Sequence, residues 1–286
     1  MILIVDSGST KADWIAVDSN GNKLLPKIRT KGLNPATLPE KKLRKRIKNS
    51  QELKDNRAAV TNVFFYGAGC GTEKPNQLLG EVLKDIFFNA EIQVKEDTLA
   101  AVYSTINKKD EAAVVCILGT GSNCSYFDGK EEHQKVKSLG YSIMDDASGN
   151  YYGRQLIRDY YFNHMPENIR IAFETKYNVE DDYIKYNLYK QPNPNAYLAS
   201  FAEFIFLHKD SDYIIDLIKK GIRLFATNMI MQFKEELKTV PVHFAGSIAF
   251  FAQDEIKEVA NEMGFTVGNF ERRPIEGLVA YHTNNL

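Results

Sequence analysis

An α/β protein made of two duplicated halves, each a sheet flanked by helices around a common cleft, is the fold class that this sequence predicts. Three observations predict it. A short β-branched run, Ile2 to Val5, breaks at Asp6-Ser7-Gly8-Ser9-Thr10, and the same kind of unit returns at Ala112 to Leu118 followed by Gly119-Thr120-Gly121-Ser122-Asn123. Amphipathic helical patterns fill the roughly eighty positions between the two copies, as an alternating α/β fold requires. The chain has 286 residues, 44% of them hydrophobic and 26% charged, which is globular composition with room for two modest domains and excludes global disorder.

Each element has a local reason. Ile2 to Val5 is continuous and apolar, the pattern of a strand buried on both faces. Trp14 to Val17 resumes a strand after the Gly/Ser turn, Asp18-Ser19-Asn20-Gly21 supplies a second turn, and Lys23 to Ile28 is expected to form a third strand. Helices are expected over Gln77 to Phe88, where Leu78, Leu79, Val82, Leu83 and Ile86 follow helical spacing, and over Thr98 to Asn107, with Glu91 to Lys95 as a strand between them. In the second copy Cys124 to Phe127 leads through Asp128-Gly129 to another candidate strand. Beyond it the chain reads as largely helical, near Gly149 to Asn163, Ala196 to His208 and Asp212 to Leu237. A strand at Val240 to Phe244, a helix at Gln253 to Met263, a strand at Phe265 to Phe270 and a helix from Pro274 complete it.

Composition removes several classes of function. Lys and Arg number 36 against 37 Asp and Glu, for a net charge of −1, so no global basic field is available to hold nucleic acid. Lys41 to Lys48 holds six basic residues in eight, but Leu43 and Ile47 at i, i+4 spacing mark a solvated helix face with a buried stripe. Cys70, Cys116 and Cys124 are odd in number and lack C-x-x-C spacing, and the five histidines are scattered, so neither a disulfide framework nor a zinc site is expected. The apolar N-terminus is interrupted by Asp6, no apolar run approaches the length of a membrane span, and a cytoplasmic location without membrane partners is expected.

Chemistry concentrates at the turns. In Asp6 to Thr10 and Gly119 to Ser122 the glycines let successive N–H groups converge while Ser and Thr add hydroxyl donors, which suits phosphate oxygens; Ser/Gly hairpins that bind nothing share the pattern. Neither turn matches G-x-x-x-x-G-K-[ST] or G-x-G-x-x-G, so Walker and Rossmann binding are both disfavoured. Asp6 at a strand end is either a turn cap or a carboxylate for Mg²⁺. Asp97, where a strand yields to a helix, is either an N-cap or a base that takes the proton of a hydroxyl attacking a γ-phosphate. Asn34 in Gly32-Leu33-Asn34-Pro35 suits a polyhydroxylated ligand or an ordinary turn, and Met144-Asp145-Asp146-Ala147-Ser148-Gly149 presents two carboxylates or a capping turn.

Taken together these motifs resemble the superfamily of sugar kinases, heat-shock chaperones and actin, and within it the N-acetylglucosamine kinase branch of the BadF/BadG-type ATPases, over essentially the whole chain. Asp6-Ser7-Gly8-Ser9-Thr10-Lys11 resembles the first phosphate motif, Gly119-Thr120-Gly121-Ser122 the second, Ala245-Gly246-Ser247-Ile248-Ala249 the adenosine motif, and Pro274-Ile275-Glu276-Gly277-Leu278 the closing helix that returns to the first half. The resemblance implies two actin-like (ribonuclease H-like) domains with mixed sheets, over 1–108 plus 274–286 and over 109–273. It implies an ATP- and Mg²⁺-dependent kinase acting on an amino sugar, foremost the 6-hydroxyl of N-acetylglucosamine, in a homodimer. Asp97 in Glu96-Asp97-Thr98-Leu99-Ala100-Ala101 takes the place of the catalytic base. Ser7 to Lys11, Gly119 to Ser122, Gly246 and Ser247 take the ATP-binding places, Asp6 the metal, and Asn34, Asp145 and Asp146 the sugar. Two departures stand out: Met144-Asp145-Asp146-Ala147-Ser148 where the family commonly has Gly-Asp-Glu-Gly-Ser, and Gly246-Ser247 where Gly-Gly is frequent. The alternatives are an activator ATPase, which needs cysteines around an iron–sulfur cluster, and a sensor that binds nucleotide or sugar without phosphorylating it.

Overall fold

The computed structural model describes residues 1–8, 11–106, 108 and 110–284. The chain divides into two compact units, one of residues 1–109 and 273–286, the other of residues 110–272. The first contains a five-stranded sheet of β1 (Ile2–Ser7), β2 (Lys11–Val17), β3 (Ile28–Lys31), β4 (Asn62–Gly67) and β5 (Glu91–Glu96), in the order β3-β2-β1-β4-β5. The second contains β6 (Ala113–Leu118), β7 (Ser122–Phe127), β8 (Glu132–His133), β9 (Val242–Ala245) and β10 (Val267–Glu271), in the order β10-β9-β6-β7-β8. Read outward from β1 and β6, the orders are identical, with two antiparallel pairings on one side and two parallel pairings on the other. The duplicated mixed α/β sheets expected from the repeated unit are therefore present.

Register explains which residues meet at the ends of the strands. Ser7 lies beside Gly67 and Gly67 beside Glu96, so Gly8, Ala68 and Asp97 all leave the first sheet at its carboxyl edge. In the second sheet Ile117, Ala245 and Glu271 form the corresponding row, with Leu118, Gly246 and Arg272 next. Ligands of open α/β sheets bind outside such edges because loops there are free of the packing that fills both faces.

Several expectations are corrected. The third strand is not Lys23 to Ile28: only Lys23 bridges Val17, and the strand proper begins at Ile28. Pro26 has no N–H for the ladder, which delays pairing until the chain has passed it. The third strand of the second copy shrinks to Glu132–His133. The helix expected over 196–208 is three pieces, Pro194–Ala199, a 3₁₀ turn at Ser200–Ala202 and Glu203–Leu207. The helix from Asp212 stops at Asn228 rather than Leu237. There Thr227 Oγ1 donates back to Arg223 O and the Asn228 amide turns to Asp146, so side chains compete with the backbone ladder. Asp97 is the first helical residue of Asp97–Thr105 and Glu96 occupies the N-cap, so the N-cap reading of Asp97 is displaced by one position. Asn107, the expected end of that helix, lies outside the described residues. β4 and the helices Glu167–Lys176 and Asp181–Tyr189 were not anticipated.

Leu43 and Ile47 are fully buried on the helix Glu40–Lys48, as the solvated-face reading of that basic segment requires. Among the described residues no helix is long and apolar enough to cross a membrane. Cys116 and Cys124 are free, buried cross-strand neighbours on β6 and β7 with sulfurs 3.4 Å apart.

One face of the first sheet buries Ile2, Ile4, Ile15 and Phe64 against Ile275 and Leu278 of the terminal helix Pro274–Asn284. His282 of that helix stacks on Phe64 at 3.8 Å and sits 2.9 Å from the Tyr66 hydroxyl, and burial lowers its pKa from the ordinary 6.5 to about 4. The folded state holds this imidazole neutral while the unfolded chain protonates it near pH 6.5, so the unfolded state binds more protons between pH 6.5 and 4. Its stabilisation is complete above pH 6.5 and is lost as pH falls through that window, by about 3 kcal/mol in total. Urea unfolding from pH 7.5 to 4.5 should show this slope in the wild type and a shallower one in His282→Gln; equal slopes would remove His282 as its source.

Candidate active site

At the carboxyl edge of the first sheet, β1 ends in Asp6 and Ser7. Asp6 is half-buried, and its carboxyl is pushed up to about 6, first by burial and then by the charge of Asp13, with Lys11 and Lys27 opposing. Asp13 is its direct cross-strand partner on β2. Burial works to raise the Asp13 carboxyl as well, but Arg29 Nε at 2.6 Å and Lys27 Nζ at 2.8 Å hold it below the usual carboxylate range. A carboxylate held from water beside a second one is a site that favours a cation, and its hard oxygen donors suit Mg²⁺, which is commonly bound through one or two carboxylates.

Ser7 is fully buried, and its hydroxyl accepts from Leu33 N at 2.9 Å while donating to Gly8 O at 3.3 Å. That hydroxyl is thus occupied in tying the Gly32–Pro35 loop to the end of β1. Ser9 and Thr10 lie outside the described residues, and Lys11 opens β2. Asn34 is half-buried in the tied loop, where its Oδ1 accepts from Ala36 N at 3.0 Å and its carbonyl from Leu38 N at 3.1 Å.

Sequence reasoning missed the segment that joins these pieces, Gly67-Ala68-Gly69-Cys70-Gly71, which follows β4. Gly69 has φ +81°, and a Cβ there would stand 2.2 Å from Asn34 Oδ1; a Cβ on Gly71 would stand 2.5 Å from Glu96 Oε2. Glycine at both places lets the loop lie directly on the Asn34 amide and the Glu96 carboxylate. Cys70, between them, is buried, and its thiol is pushed up to about 12 by burial and then by the charges of Asp97 and Glu96, which keeps it a thiol and places it beside both acids. Asn76 fixes the loop by donating to Cys70 O at 3.1 Å and to Val94 O at 2.9 Å. Asn34, Glu96 and Asp97 are therefore gathered around one glycine-rich loop at one sheet edge. The clue in the sequence was three glycines in five residues after an apolar run.

In the second unit the turn between β6 and β7 closes with Gly119 N donating to Gly121 O at 2.9 Å. Thr120 at its tip is exposed, and a Cβ on Gly119 would meet nothing within 4 Å, so the turn presents open backbone. Gly121 serves a second purpose: a Cβ there would fall 2.7 Å from Asp145 Oδ2. Asn150, fully buried, donates through its amide to Asp145 Oδ2 at 2.9 Å and to Thr120 O at 2.7 Å, clamping the carboxylate to the turn. Sequence reasoning missed this residue too. Ser122, Met144, Asp145, Asp146, Asn228 and Met229 line one cavity of about 230 Å³, with Asn228 donating to Asp146 Oδ2 at 3.0 Å.

Backbone conformation sets the acidic segment apart. Asp145 has φ +67° and Ala147 φ +56°, and Ala147 is fully buried. Ala147 thus holds the left-handed region without being glycine, a local strain on the order of 1 kcal/mol. Ser148 then caps the helix Gly149–Tyr161 by accepting from Tyr151 N at 3.2 Å. Gly246 follows β9 with φ +109°, donates to Glu271 O at 2.8 Å and lies against the end of β6; Ser247 is exposed at the start of Ser247–Phe251.

Comparison with known proteins places this geometry. No family model matches the chain, and no curated protein sequence matches it. Among solved structures, a Porphyromonas gingivalis protein provisionally named N-acetylglucosamine kinase superposes with a TM-score of 0.91 at 34% identity, over 100% of this chain and 99% of that one. A Chromobacterium violaceum protein with the same provisional name gives 0.70 at 14% identity over 98% of each chain. A Streptomyces griseus glucokinase of the ROK family, solved with glucose and AMPPNP, gives 0.57 at 14% identity over 98% of each. The last two establish the fold. With more than a third of positions identical to the first over both full lengths, the chain belongs to the actin-like sugar-kinase family of which that P. gingivalis protein is a member.

Proposed function

We propose that this protein is an ATP- and Mg²⁺-dependent amino-sugar kinase of the BadF/BadG-type N-acetylglucosamine kinase branch, forming N-acetylglucosamine 6-phosphate in the cytoplasm as a homodimer. The observation that carries the reading is the gathering of Asn34, Glu96 and Asp97 around the Gly67–Gly71 loop in a chain 34% identical to a protein provisionally named for that reaction. Asp97 takes the proton of the acceptor hydroxyl as its oxygen bonds to the γ-phosphorus and the bond from that phosphorus to the bridging oxygen of ADP breaks. Its place at the start of a helix favours the ionised carboxylate, since helix N-termini carry partial positive charge.

In this reading Asn34 orients sugar hydroxyls, and Asp145, with Asp146 in the same cavity, takes further sugar contacts. Backbone N–H groups of Gly8 to Lys11 and of the Gly119 to Ser122 turn, other than the Gly119 N–H already held by Gly121 O, receive phosphate oxygens, and Gly246 and Ser247 face the adenosine. Ser7 serves by holding the Asn34 loop, for which its two hydrogen bonds are the support. Asp6, with Asp13 beside it, would hold Mg²⁺, which supplies neutralisation of phosphate charge when bound.

The test is ADP release from ATP with N-acetylglucosamine, N-acetylmuramic acid, N-acetylmannosamine, glucosamine and glucose, with product masses determined. N-acetylglucosamine should give the highest kcat/KM and one phosphoryl group per ADP. Release of ADP at the same rate without any sugar, or binding without product, would replace a kinase with an ATPase or a sensor.

A further inference from the structure

The functional reading leaves one strongly charged region unused. Residues 27–57 carry eleven Lys and Arg against three Asp and Glu in a chain whose net charge is −1, so overall neutrality conceals a basic face on the first unit. Cations on an edge strand such as β3 ordinarily serve to discourage strand pairing, and that accounts for lysines pointing into solvent. It does not account for concavity. Between β3 and the end of the helix Glu40–Lys48 lies a cavity of about 580 Å³, within the range of small-ligand sites, whose wall brings together Lys27, Arg29, Lys31 and Arg46.

Two of these cations share one carboxylate, because Lys27 and Arg29 both pair with Asp13. Lys31 and Arg46 enter no ion pair among the described residues; Arg46 donates one N–H to Gly32 O, which leaves most of its guanidinium donors for another partner. The remaining wall is of a different kind: Asn49 can donate and accept, the Gln51 amide donates one N–H to Asp55 Oδ1 and keeps its carbonyl, the Thr30 hydroxyl is engaged by Trp14 Nε1 and Lys31 O, and the Glu52 carboxylate, receiving the Ser50 hydroxyl at 2.8 Å, accepts. Two unpaired cations suit a phosphate dianion, and neutral donors with one carboxylate suit hydroxyl groups attached to it.

We propose that this cavity binds a small phosphate monoester of a polyhydroxylated molecule, with Lys31 and Arg46 on the phosphate and the Asn49 to Glu52 wall on the hydroxyls. None of Lys31, Arg46, Asn49 and Glu52 is itself assigned to phosphoryl transfer, although Lys27 and Arg29 pair with Asp13 beside Asp6 and Lys31 faces Lys11 across the β2–β3 pair. Arg46 also connects the cavity with the proposed active site, since the carbonyl it holds belongs to the loop that carries Asn34.

Isothermal titration of the full-length protein, without ATP, with glucose 6-phosphate, inorganic phosphate and glucose tests the proposal. Glucose 6-phosphate should bind one to one, and more tightly than inorganic phosphate, which isolates the hydroxyl contacts. Lys31→Glu, an exposed change on an edge strand, should weaken binding by about tenfold or more, as loss of a charge-assisted contact does, and Arg46→Gln should act likewise. Lys54→Glu, the same charge change outside the cavity wall, should leave it unaltered. No binding, or equal binding in wild type and Lys31→Glu, overturns the proposal. A chain without kinase activity that still binds the ester leaves it standing, so the two readings fail separately.

Discussion

Asp97→Asn should lower kcat roughly 10²- to 10⁴-fold while leaving the affinity for the acceptor sugar within a few fold, the signature of a lost general base. Asparagine keeps the size and hydrogen-bonding shape of the side chain, so the helix Asp97–Thr105 and its neighbours Glu96 and Cys70 need not move. It cannot take a proton. A compensating worry is Glu96, which lies at the same sheet edge and against Gly71. Were Glu96 to act as base instead, Asp97→Asn would retain near-normal turnover and Glu96→Gln would carry the loss, and measuring kcat and KM for both variants decides between them. Melting temperatures within a few degrees of the wild type for both would exclude misfolding as the reason for either result.

How far the sequence foretold this depends on whether a residue acts through local pattern or through distant contact. β1, β2, β6 and β7 were legible because buried strands read as apolar runs, and their turns because glycine and serine interrupt those runs. The helix Gln253–Met263 matches its expected bounds, since its apolar spacing is regular and Gly264 ends it in the left-handed region. Asp97 and Asn34 stood out because each sits at a boundary between elements. The Gly67–Gly71 loop did not, although Val63 to Tyr66 is as apolar a run as Ile2 to Val5. Its glycines matter through Asn34 and Glu96, whose approach only the tertiary fold arranges. Asn150 escaped for the same reason, since nothing near it in sequence names Thr120 as a partner. At Ser7 the local pattern suits phosphate, while the fold adds a contact that no local pattern names, the Leu33 N–H on its hydroxyl.

Gly246→Ala should be a strongly damaging single-methyl change in the second unit. Its φ of +109° is one that alanine rarely adopts, and the added Cβ would stand 2.4 Å from Leu118 O and 3.2 Å from Gly119 N, both backbone atoms that cannot rotate away. Strain and overpacking together should destabilise by about 3 kcal/mol, lowering Tm by roughly 5–10 °C. Gly264→Ala provides the comparison: φ is +78°, but a Cβ there meets nothing within 4 Å, so only the conformational part of about 1 kcal/mol applies. The excess in Gly246→Ala measures the push on Leu118 and Gly119. Because Gly119 opens the turn proposed to receive phosphate, that push should also weaken nucleotide binding in the fraction that remains folded, which Gly264→Ala should leave unchanged. Equal melting losses and equal nucleotide affinities in the two variants would show that the end of β6 yields to the methyl, and that the close approach of Gly246 does nothing for the turn.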